Sequence, residues 1–232
     1  FTECVYSRLL HLTERDLESR LAVHFGAVDY EAEVYLNGVR LCRHEGGYTP
    51  FVAELNPAAR AGENRLTVVV RDDVRDNVPS GKQSAREDSF GCFYTRTTGI
   101  WQTVWLERTP HEYVRSVRFF PDAEHARVGA EICTQGEGEL SVIVRYQGRT
   151  VGSVSTQICF RKRVDIALSE KHLWEIGAGR LYDVEIAFRT DRVNSYFGLR
   201  DVRYEGHKFL LNGKSVFQRL VLDQGYYPDG VY

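Results

Sequence analysis

Residues 81–107, GKQSAREDSFGCFYTRTTGIWQTVWLE, combine a polar, glycine-containing loop with a strand-like run. The run over 100–107 predicts a β-strand, and strand side chains alternate between the two faces of a sheet. Trp101 and Trp105 would therefore lie on one face. The loop before them carries lysine, arginine and carboxylate side chains, and loops on a rigid β scaffold often hold binding residues. This stretch is thus the first candidate for a binding region.

Short runs with an apolar residue at every second position precede this stretch. They cover residues 21–25, 31–36 and 65–71, and glycine-containing turns separate them. This period of two predicts strands and hairpins. The pair Asn37-Gly38 predicts a type I′ turn, because both central residues of that turn need a positive φ. We therefore predict an antiparallel β-sandwich that closes near Glu107.

The same pattern continues after Pro110, which marks a predicted domain boundary. Alternating runs occupy residues 113–119, 127–133, 139–146, 150–160, 163–168 and 181–189. Several short strands at this spacing over about 90 residues predict a small immunoglobulin-like sandwich.

The character of the chain changes again near its end. Asn212-Gly213 predicts a small hairpin, and residues 216–222 form a nearly continuous apolar run. Such a run is typical of a strand buried on both faces, as in a parallel sheet. One strand cannot form that sheet, so we expect its partners beyond residue 232.

The composition excludes several classes of partner. The chain is 43% hydrophobic and 27% charged, with a net charge of −2, and it has no basic stripe, so nucleic acid is not expected. No apolar run approaches the roughly 20 residues that a membrane-spanning helix needs, so no membrane partner is expected. The N-terminus lacks the features of a signal peptide. The absence of methionine, even at position 1, predicts that the chain is a piece of a longer protein.

The cysteines and histidines form no recognisable site in the sequence. Five scattered cysteines without a CxxC pair predict free thiols in a reducing compartment, hence a cytoplasmic location. The seven histidines show neither HxH nor HExxH spacing, so no metal site is predicted.

Six segments, taken in order, resemble the N-terminal part of glycoside hydrolase family 2, which includes β-galactosidases, β-glucuronidases and β-mannosidases. They are HFGAVDYEAEVYLNG (24–38), HEGGYTPF (44–51), AGENRLTVVV (61–70), TTGIWQTVWLE (97–107), SYFGLRDV (195–202) and FLLNGKSVFQRLVLDQGYYPDG (209–230). Each is weak alone, but the ordered set is specific and covers nearly the whole chain.

The resemblance implies an all-β chain with a defined domain order. Residues 1–109 would be a jelly-roll sugar-binding domain without its first strands, and residues 110–203 an immunoglobulin-like β-sandwich. Residues 204–232 would begin a truncated (β/α)8 catalytic barrel and supply its first strand.

The resemblance also implies a retaining mechanism, which needs two carboxyl groups about 5–5.5 Å apart across the scissile bond. In the family both are glutamates on later barrel strands, so no catalytic residue is expected in this chain and no cofactor is implied. Two local pairs, Asp72-Asp73 and Glu87-Asp88, are weak substitutes. Neighbouring residues on a strand point to opposite faces, so we expect these to be solvated carboxylates.

In several family members, the loop before the TGI-like motif offers an aspartate to the sugar or to a bound cation. The matching position here is Phe93, which can do neither. Asp88 is the substitute candidate, with a plain surface carboxylate as the alternative. Tyr94 and Arg96 are candidates for the edge of the site, because aromatic faces stack on sugars and guanidinium groups orient hydroxyls or carboxylates. Trp101 and Trp105 are interpreted as core or domain-interface residues.

The loop after the predicted barrel strand is the second candidate region. Active sites of (β/α)8 barrels lie at the C-terminal ends of the strands. Many family members have Arg-His-Glu here, whereas this chain has Asp223, Gln224 and Gly225. Asp223 and Gln224 are the candidate substrate-binding residues of this loop, because both side chains can bond sugar hydroxyls.

The sequence therefore predicts a non-catalytic N-terminal fragment of a retaining β-glycosidase for β-galactoside- or β-glucuronide-type substrates. The alternative is a free-standing carbohydrate-binding module, and a purely structural protein is the third choice. A carbohydrate is the expected partner, and the sandwich domains are candidates for a homo-oligomeric contact.

Overall fold

The computed structural model describes residues 2–73, 77–86, 88–223, 225–227 and 230–231. Within these ranges the chain is all-β apart from one short helix, as the apolar periodicity predicted. The first elements are β1 (Glu3–Leu12), α1 (Glu14–Leu17), β2 (Arg20–Phe25), β3 (Val28–Asp29), β4 (Glu31–Leu36), β5 (Val39–Glu45), β6 (Phe51–Glu54), β7 (Gly62–Arg71), β8 (Gly99–Ile100) and β9 (Val104–Thr109). In this part of the chain, no helix is long and apolar enough to cross a membrane.

The chain divides into two compact units between Thr109 and Pro110, where the sequence places a domain boundary. The second unit runs to Val221, and the described residues from Leu222 onward group with the first. The later strands are β10 (Val114–Asp122), β11 (Arg127–Tyr146), β12 (Arg149–Ala167), β13 (Tyr182–Phe188), β14 (Asp191–Phe197), β15 (Val202–Glu205), β16 (Lys208–Leu211), β17 (Lys214–Ser215), β18 (Tyr226–Tyr227) and β19 (Gly230–Val231).

Two antiparallel sheets enclose the core of the first unit. One has the strand order β1-β7-β4-β5 and the other β6-β2-β9, while β3 and β8 form a separate pair. The alternating residues of the three predicted runs are buried, which confirms the predicted inward faces. The buried cluster includes Leu21, Val23, Phe25, Ala32, Val34, Leu36, Leu66, Val68 and Val70.

Both predicted Asn-Gly hairpins are confirmed. Asn37 and Gly38 have φ angles of 53° and 83° and join β4 to β5. Asn212 and Gly213 have φ angles of 51° and 76° and join β16 to β17. These dipeptides specify their turns locally, because asparagine and glycine tolerate the left-handed region better than other residues do.

The predicted continuous strand over 100–107 is wrong. β8 ends at Ile100 and β9 begins at Val104, so Trp101 and Trp105 do not share one strand. The chain between them approaches the backbone at Gly26, whose amide donates to the carbonyl of Thr103 at 2.9 Å. The pairing with the β2 side therefore reaches Thr103, and the break from β8 lies at residues 101–103.

The second unit is built on two long strands. β11 pairs with β12 along most of its length, while its first half pairs with β10 and its second half with β13. Residues from both halves of β11, including Ile132 and Leu140, belong to one core cluster, so the sheet folds over on itself. The prediction of separate strands at 127–133 and 139–146, and at 150–160 and 163–168, is therefore corrected to two continuous bent strands.

The apolar run over 216–222 forms no strand in the structure. Phe217, Leu220, Val221 and Leu222 are exposed by 79–88%. The predicted burial on both faces is not observed within the described residues. This outcome agrees with the argument that one strand without neighbours cannot satisfy its backbone or bury its side chains.

Candidate functional site

The loop before β8 is held closed by its own backbone. The amide of Ser84 donates to the carbonyl of Tyr94 at 2.7 Å, and the amide of Tyr94 donates to Lys82 O at 2.8 Å. A tight turn joins Phe90 to Phe93 through a bond of 2.9 Å. The two arms of the loop therefore run side by side, which places residues distant in sequence around one space.

One buried amide fastens this loop to the sandwich. Gln83 is 8% exposed, and its Nε2 donates to Oδ2 of Asp29 at 2.6 Å. Its Oε1 accepts from the amide of Thr97 at 2.7 Å. Asp29 is the last residue of β3, so Gln83 joins both arms of the loop to the sandwich.

Gly99 fixes the point where the loop re-enters the sandwich. Its φ of +119° is a conformation that residues with side chains rarely adopt, and a Cβ there would overlap with the hydroxyl of Tyr6. The same hydroxyl accepts from the amide of Ile100 at 3.2 Å. The glycine of the TTGIW segment is therefore required by backbone geometry and by close approach.

A pocket of about 300 Å³ lies between this loop and the rest of the first unit, and we call it the loop pocket. Its polar groups include three carboxylates, one guanidinium and one amide, and three aromatic rings also contribute. These residues are Asp29, Asp72, Asp73, Arg96, Gln83, Tyr30, Phe90 and Phe93. The combination of hydrogen-bonding groups and ring faces is suited to a hydroxylated ligand.

Burial dominates the electrostatics of the pocket. It raises the pKa of Asp29 from 3.8 to about 6, the nearby carboxylate of Asp72 adds to the rise, and the bond from Gln83 opposes it. Burial also raises the pKa of Asp72, although Thr98 donates to its Oδ2 at 3.1 Å. Both carboxylates are therefore easier to protonate than exposed aspartates.

Arg96 supplies the one positive charge among the described lining residues. Its guanidinium favours the ionised form of Asp72 and so opposes the rise that burial causes in the pKa of that carboxyl. Its Nη2 is buried and has no hydrogen-bond partner among the described residues. An unbonded buried donor has a free-energy cost, and an acceptor from a ligand would remove it. The pocket can thus both donate to and accept from a bound hydroxyl.

The structure separates the predicted site residues. Arg96 and Phe93 line the loop pocket, and the backbone of Tyr94 bonds the facing arm of the loop. Asp88 is exposed, and its carbonyl accepts from Ser84 Oγ at 2.7 Å.

In the second candidate region, the loop with Asp223 and Gln224, the structure describes only Asp223 of the two predicted residues. Asp223 is exposed, and its Oδ1 accepts from the amide of Gly225 at 2.8 Å. Gln224 and Glu87 lie outside the described residues.

The expectation that Asp72 and Asp73 point to opposite faces is wrong. β7 ends at Arg71, so strand alternation does not apply to them, and both line the loop pocket. The sequence analysis also missed Asp29 and Gln83. A carboxylate at the end of an apolar run was the available signal for Asp29, but no local pattern identifies its distant amide partner.

No group of three or more metal-ligating side chains with suitable geometry occurs in the part of the chain that the structure describes.

Comparison with known families adds to this geometry. The model of the glycosyl hydrolases family 2 sugar binding domain matches residues 2–110. Residues 2–110 are therefore similar to the sugar binding domain of family 2. The matched residues contain the loop pocket together with all the strands that position it.

The similarity to individual family 2 proteins extends beyond this domain. A β-glucuronidase from Paenibacillus borealis is 27% identical in an alignment 225 residues long that covers 85% of this chain and 36% of that protein. A β-galactosidase from Thermoanaerobacterium thermosulfurigenes is 24% identical over 240 residues, covering 96% of this chain and 33% of that protein. The chain therefore spans about a third of the length of these curated relatives.

Solved structures show the same fold. A β-glucuronidase from Ruminococcus gnavus in complex with D-glucaro-d-lactam superposes with a TM-score of 0.76 at 22% identity. The match covers 93% of this chain and 39% of that one. The Ruminococcus gnavus chain therefore shares the fold of this region.

Proposed function

We propose that the chain is the non-catalytic N-terminal part of a retaining β-glycosidase acting on β-galactoside- or β-glucuronide-type substrates. The observation that carries this proposal is the family 2 match over residues 2–110, together with relatives that align to most of the chain. These relatives extend well beyond the aligned third. The remainder of such a protein would hold the catalytic barrel.

The proposed domain order is a jelly roll, an immunoglobulin-like sandwich and the beginning of a (β/α)8 barrel. Two compact units with separate cores and a division between Thr109 and Pro110 support the first two. The exposed apolar run over 216–222 supports the third, because a barrel supplies neighbours on both sides of each strand.

An apolar groove supports the proposal that the jelly roll lacks its first strands. β1 and β9 are each the last strand of their sheet, and between them lies a groove of about 540 Å³. Leu106 and Val104 face the same side as buried residues of β2 but are exposed by 45% and 37%. Further strands at this edge would bury these side chains and pair the open edges.

The proposed role of the loop pocket is to shape a substrate site whose catalytic groups come from the barrel. Catalysis needs two carboxyl groups across one glycosidic bond, as donor and nucleophile. Asp29 is engaged by Gln83 and Asp72 by Thr98, so each already has a structural partner. Arg96 has a buried donor left for substrate.

The test compares the 232-residue chain with the complete protein. We expect the chain alone to hydrolyse neither p-nitrophenyl β-glucuronide nor p-nitrophenyl β-galactoside. The complete protein should hydrolyse one of them, with retention of configuration in the first-formed sugar as observed by NMR. Turnover by the chain alone, or inversion by the complete protein, contradicts the proposal. Saccharide binding without any hydrolysis by the complete protein would favour a free-standing binding module instead.

A further inference from the structure

The outer face of the three-stranded sheet carries an exposed tryptophan. Trp105 on β9 lies opposite His24 on β2, which lies opposite Val52 on β6. Directly opposite residues project from the same face, so the three side chains form one row. The indole is 46% exposed and Val52 is 40% exposed. With neighbouring strands about 4.8 Å apart, the row is about 10 Å long.

The aromatic part of the row is held in place. The rings of Trp105 and His24 are parallel within 6°, with centroids 4.9 Å apart. His24 Nε2 lies 2.8 Å from Oε2 of Glu107, which fixes the imidazole. A ligand that contacts the indole therefore meets a side chain with little rotational freedom left to lose.

Two carboxylates flank this row. Glu107 on β9 and Glu54 on β6 both lie opposite Ala22 on β2, one step along the same face. Their side chains are 42% and 51% exposed. Arg20 lies between them, 2.5 Å from Glu54 and 3.5 Å from Glu107, but its side chain is only 13% exposed. The charged groups that a ligand meets beside the row are therefore mainly hydrogen-bond acceptors.

We propose that Trp105, His24, Val52, Glu54 and Glu107 form a binding surface for a neutral, β-linked oligosaccharide. The apolar face of a sugar ring stacks on an indole, and exposed carboxylates accept bonds from its hydroxyls. Equatorial β-linkages keep the saccharide extended, which matches a flat row across three strands. Acidic saccharides fit less well, because their carboxylates would meet Glu54 and Glu107.

This surface is built from residues other than those of the loop pocket. It rests on the proposed function only for the class of ligand, a saccharide. A glycosidase with such a surface would hold a polymeric substrate at a second place besides its catalytic centre.

The test uses the 232-residue chain and isothermal titration with four probes. Cellohexaose, β-1,4-mannohexaose and β-1,4-galactotetraose are neutral, whereas a hyaluronan hexasaccharide is acidic. We expect at least one neutral probe to bind and to change the tryptophan fluorescence. We expect the hyaluronan hexasaccharide to bind at least tenfold more weakly.

Three variants locate the surface, and a fourth serves as the control. Trp105→Ala should weaken binding of the neutral probe about tenfold, the order expected for loss of one aromatic contact. Trp105→Phe keeps a ring and should lose less, which separates stacking from misfolding. Glu107→Gln should lower the affinity for the neutral probe. It should also reduce the ratio between the affinities for the neutral probe and for the hyaluronan hexasaccharide. Tyr204→Ala removes a 73% exposed aromatic from the second unit and should bind as the unaltered chain does.

Three results overturn this inference: none of the neutral probes binds, the Trp105→Ala chain binds as tightly as the original, or hyaluronan binds equally well. These results do not depend on hydrolysis. A complete protein without glycosidase activity would refute the proposed function and leave this binding result unchanged.

Discussion

Gln83 connects three parts of the first unit through a single amide group. Its nitrogen bonds a buried carboxylate on β3, and its oxygen bonds the backbone of the returning arm at Thr97. Tyr48 also lies within reach, with its hydroxyl 3.4 Å from Gln83 Nε2. The position of the loop therefore depends on one side chain that is not a neighbour in sequence of anything it binds.

We expect Gln83→Leu to lower the free energy of unfolding by roughly 2 kcal/mol, because Asp29 and the amide of Thr97 lose buried partners. Urea denaturation followed by circular dichroism measures this change. Ser89→Ala, at an exposed position of the same loop, serves as the control and should change stability by less than about 0.5 kcal/mol. Equal stability of the two variants would show that the amide does not hold the loop.

The pKa of Asp29 makes stability depend on pH. Burial raises this pKa from 3.8 to about 6 in the folded chain. Between these two values the folded chain binds more protons than the unfolded chain, so this group makes stability fall as pH rises. The loss begins near pH 4, is complete somewhat above pH 6, and amounts to roughly 2–3 kcal/mol.

Asp29→Asn removes this titration and should flatten the dependence between pH 4 and pH 7. Unfolding free energies of both chains, measured by urea denaturation at several pH values, give the difference. Asp72, whose pKa is also raised, stays in both chains. A difference between the chains that does not change with pH would contradict the assignment.

At the scale of elements, the bend of β11 and β12 gives the second unit its shape. The register of the pair shifts between Cys133 and Glu137, and opposite this point Phe160 has a φ of 56°. Gly136 lies within the shift with a φ of +99°. The bend brings the two halves of β11 into one core, which two straight strands of this length would not do.

Gly136→Ala should destabilise the chain by about 1–3 kcal/mol, because its backbone conformation disfavours a side chain. A Cβ there would also lie 2.8 Å from Oε1 of Glu112. Thermal unfolding followed by calorimetry measures the shift in Tm. The control is Gly179→Ala, where a Cβ would make only an ordinary contact of 3.5 Å with Trp174. Similar Tm values for both variants would mean that the bend does not require glycine.

The short helix α1 was not predicted by the sequence analysis. Thr13 and Asp16 bond each other's backbone amides at 2.8 and 3.2 Å, which is a capping box. The threonine and the acidic residue three positions later were visible in the sequence. A helix of four residues is too short to show an apolar period, so only the cap signalled it.

At the scale of the whole molecule, the two units have separate cores. The cluster of the second unit draws all its buried residues from positions between Ala123 and Leu199. Every strand that pairs with β10 to β14 also lies within Pro110–Val221. The unit therefore contains its own hydrophobic core, and the strands β10 to β14 pair only with strands of the same unit.

We expect a polypeptide of residues 110–221 to fold alone and unfold in one cooperative transition. Near-ultraviolet circular dichroism and urea denaturation test this expectation, with the full chain as the control. A chain that binds hydrophobic dyes and lacks near-ultraviolet signal would contradict it, since those are properties of a loosely packed state.

The sequence was most informative where local rules are sufficient. The inward faces of β2, β4 and β7 follow from alternation, and the Asn37-Gly38 turn follows from the conformations those two residues tolerate. The ordered motifs identified the family of residues 2–110. The same rules failed for 100–107, where β8 ends at Ile100 and β9 begins only at Val104, and for the joined strands β11 and β12.

The candidate site was predictable only in part. Arg96 was identified through the loop that precedes the TGI segment, and it lines the pocket. Asp29 and Gln83 were not identified, because their bond joins positions 54 residues apart in the chain. Asp72 and Asp73 were assigned to opposite faces, since the sequence does not show that β7 stops at Arg71.

The sequence by itself determined the all-β class, the turns and the family, because each depends on residues close together or on an ordered set of motifs. The tertiary structure alone decided where the strand at 100–107 breaks, how β11 bends, and which carboxylate meets the amide of Gln83. The physical reason is the range of the interactions. Alternation and turn conformation act between neighbours, whereas burial, pKa shifts and the closing of the loop arise when distant residues share one space.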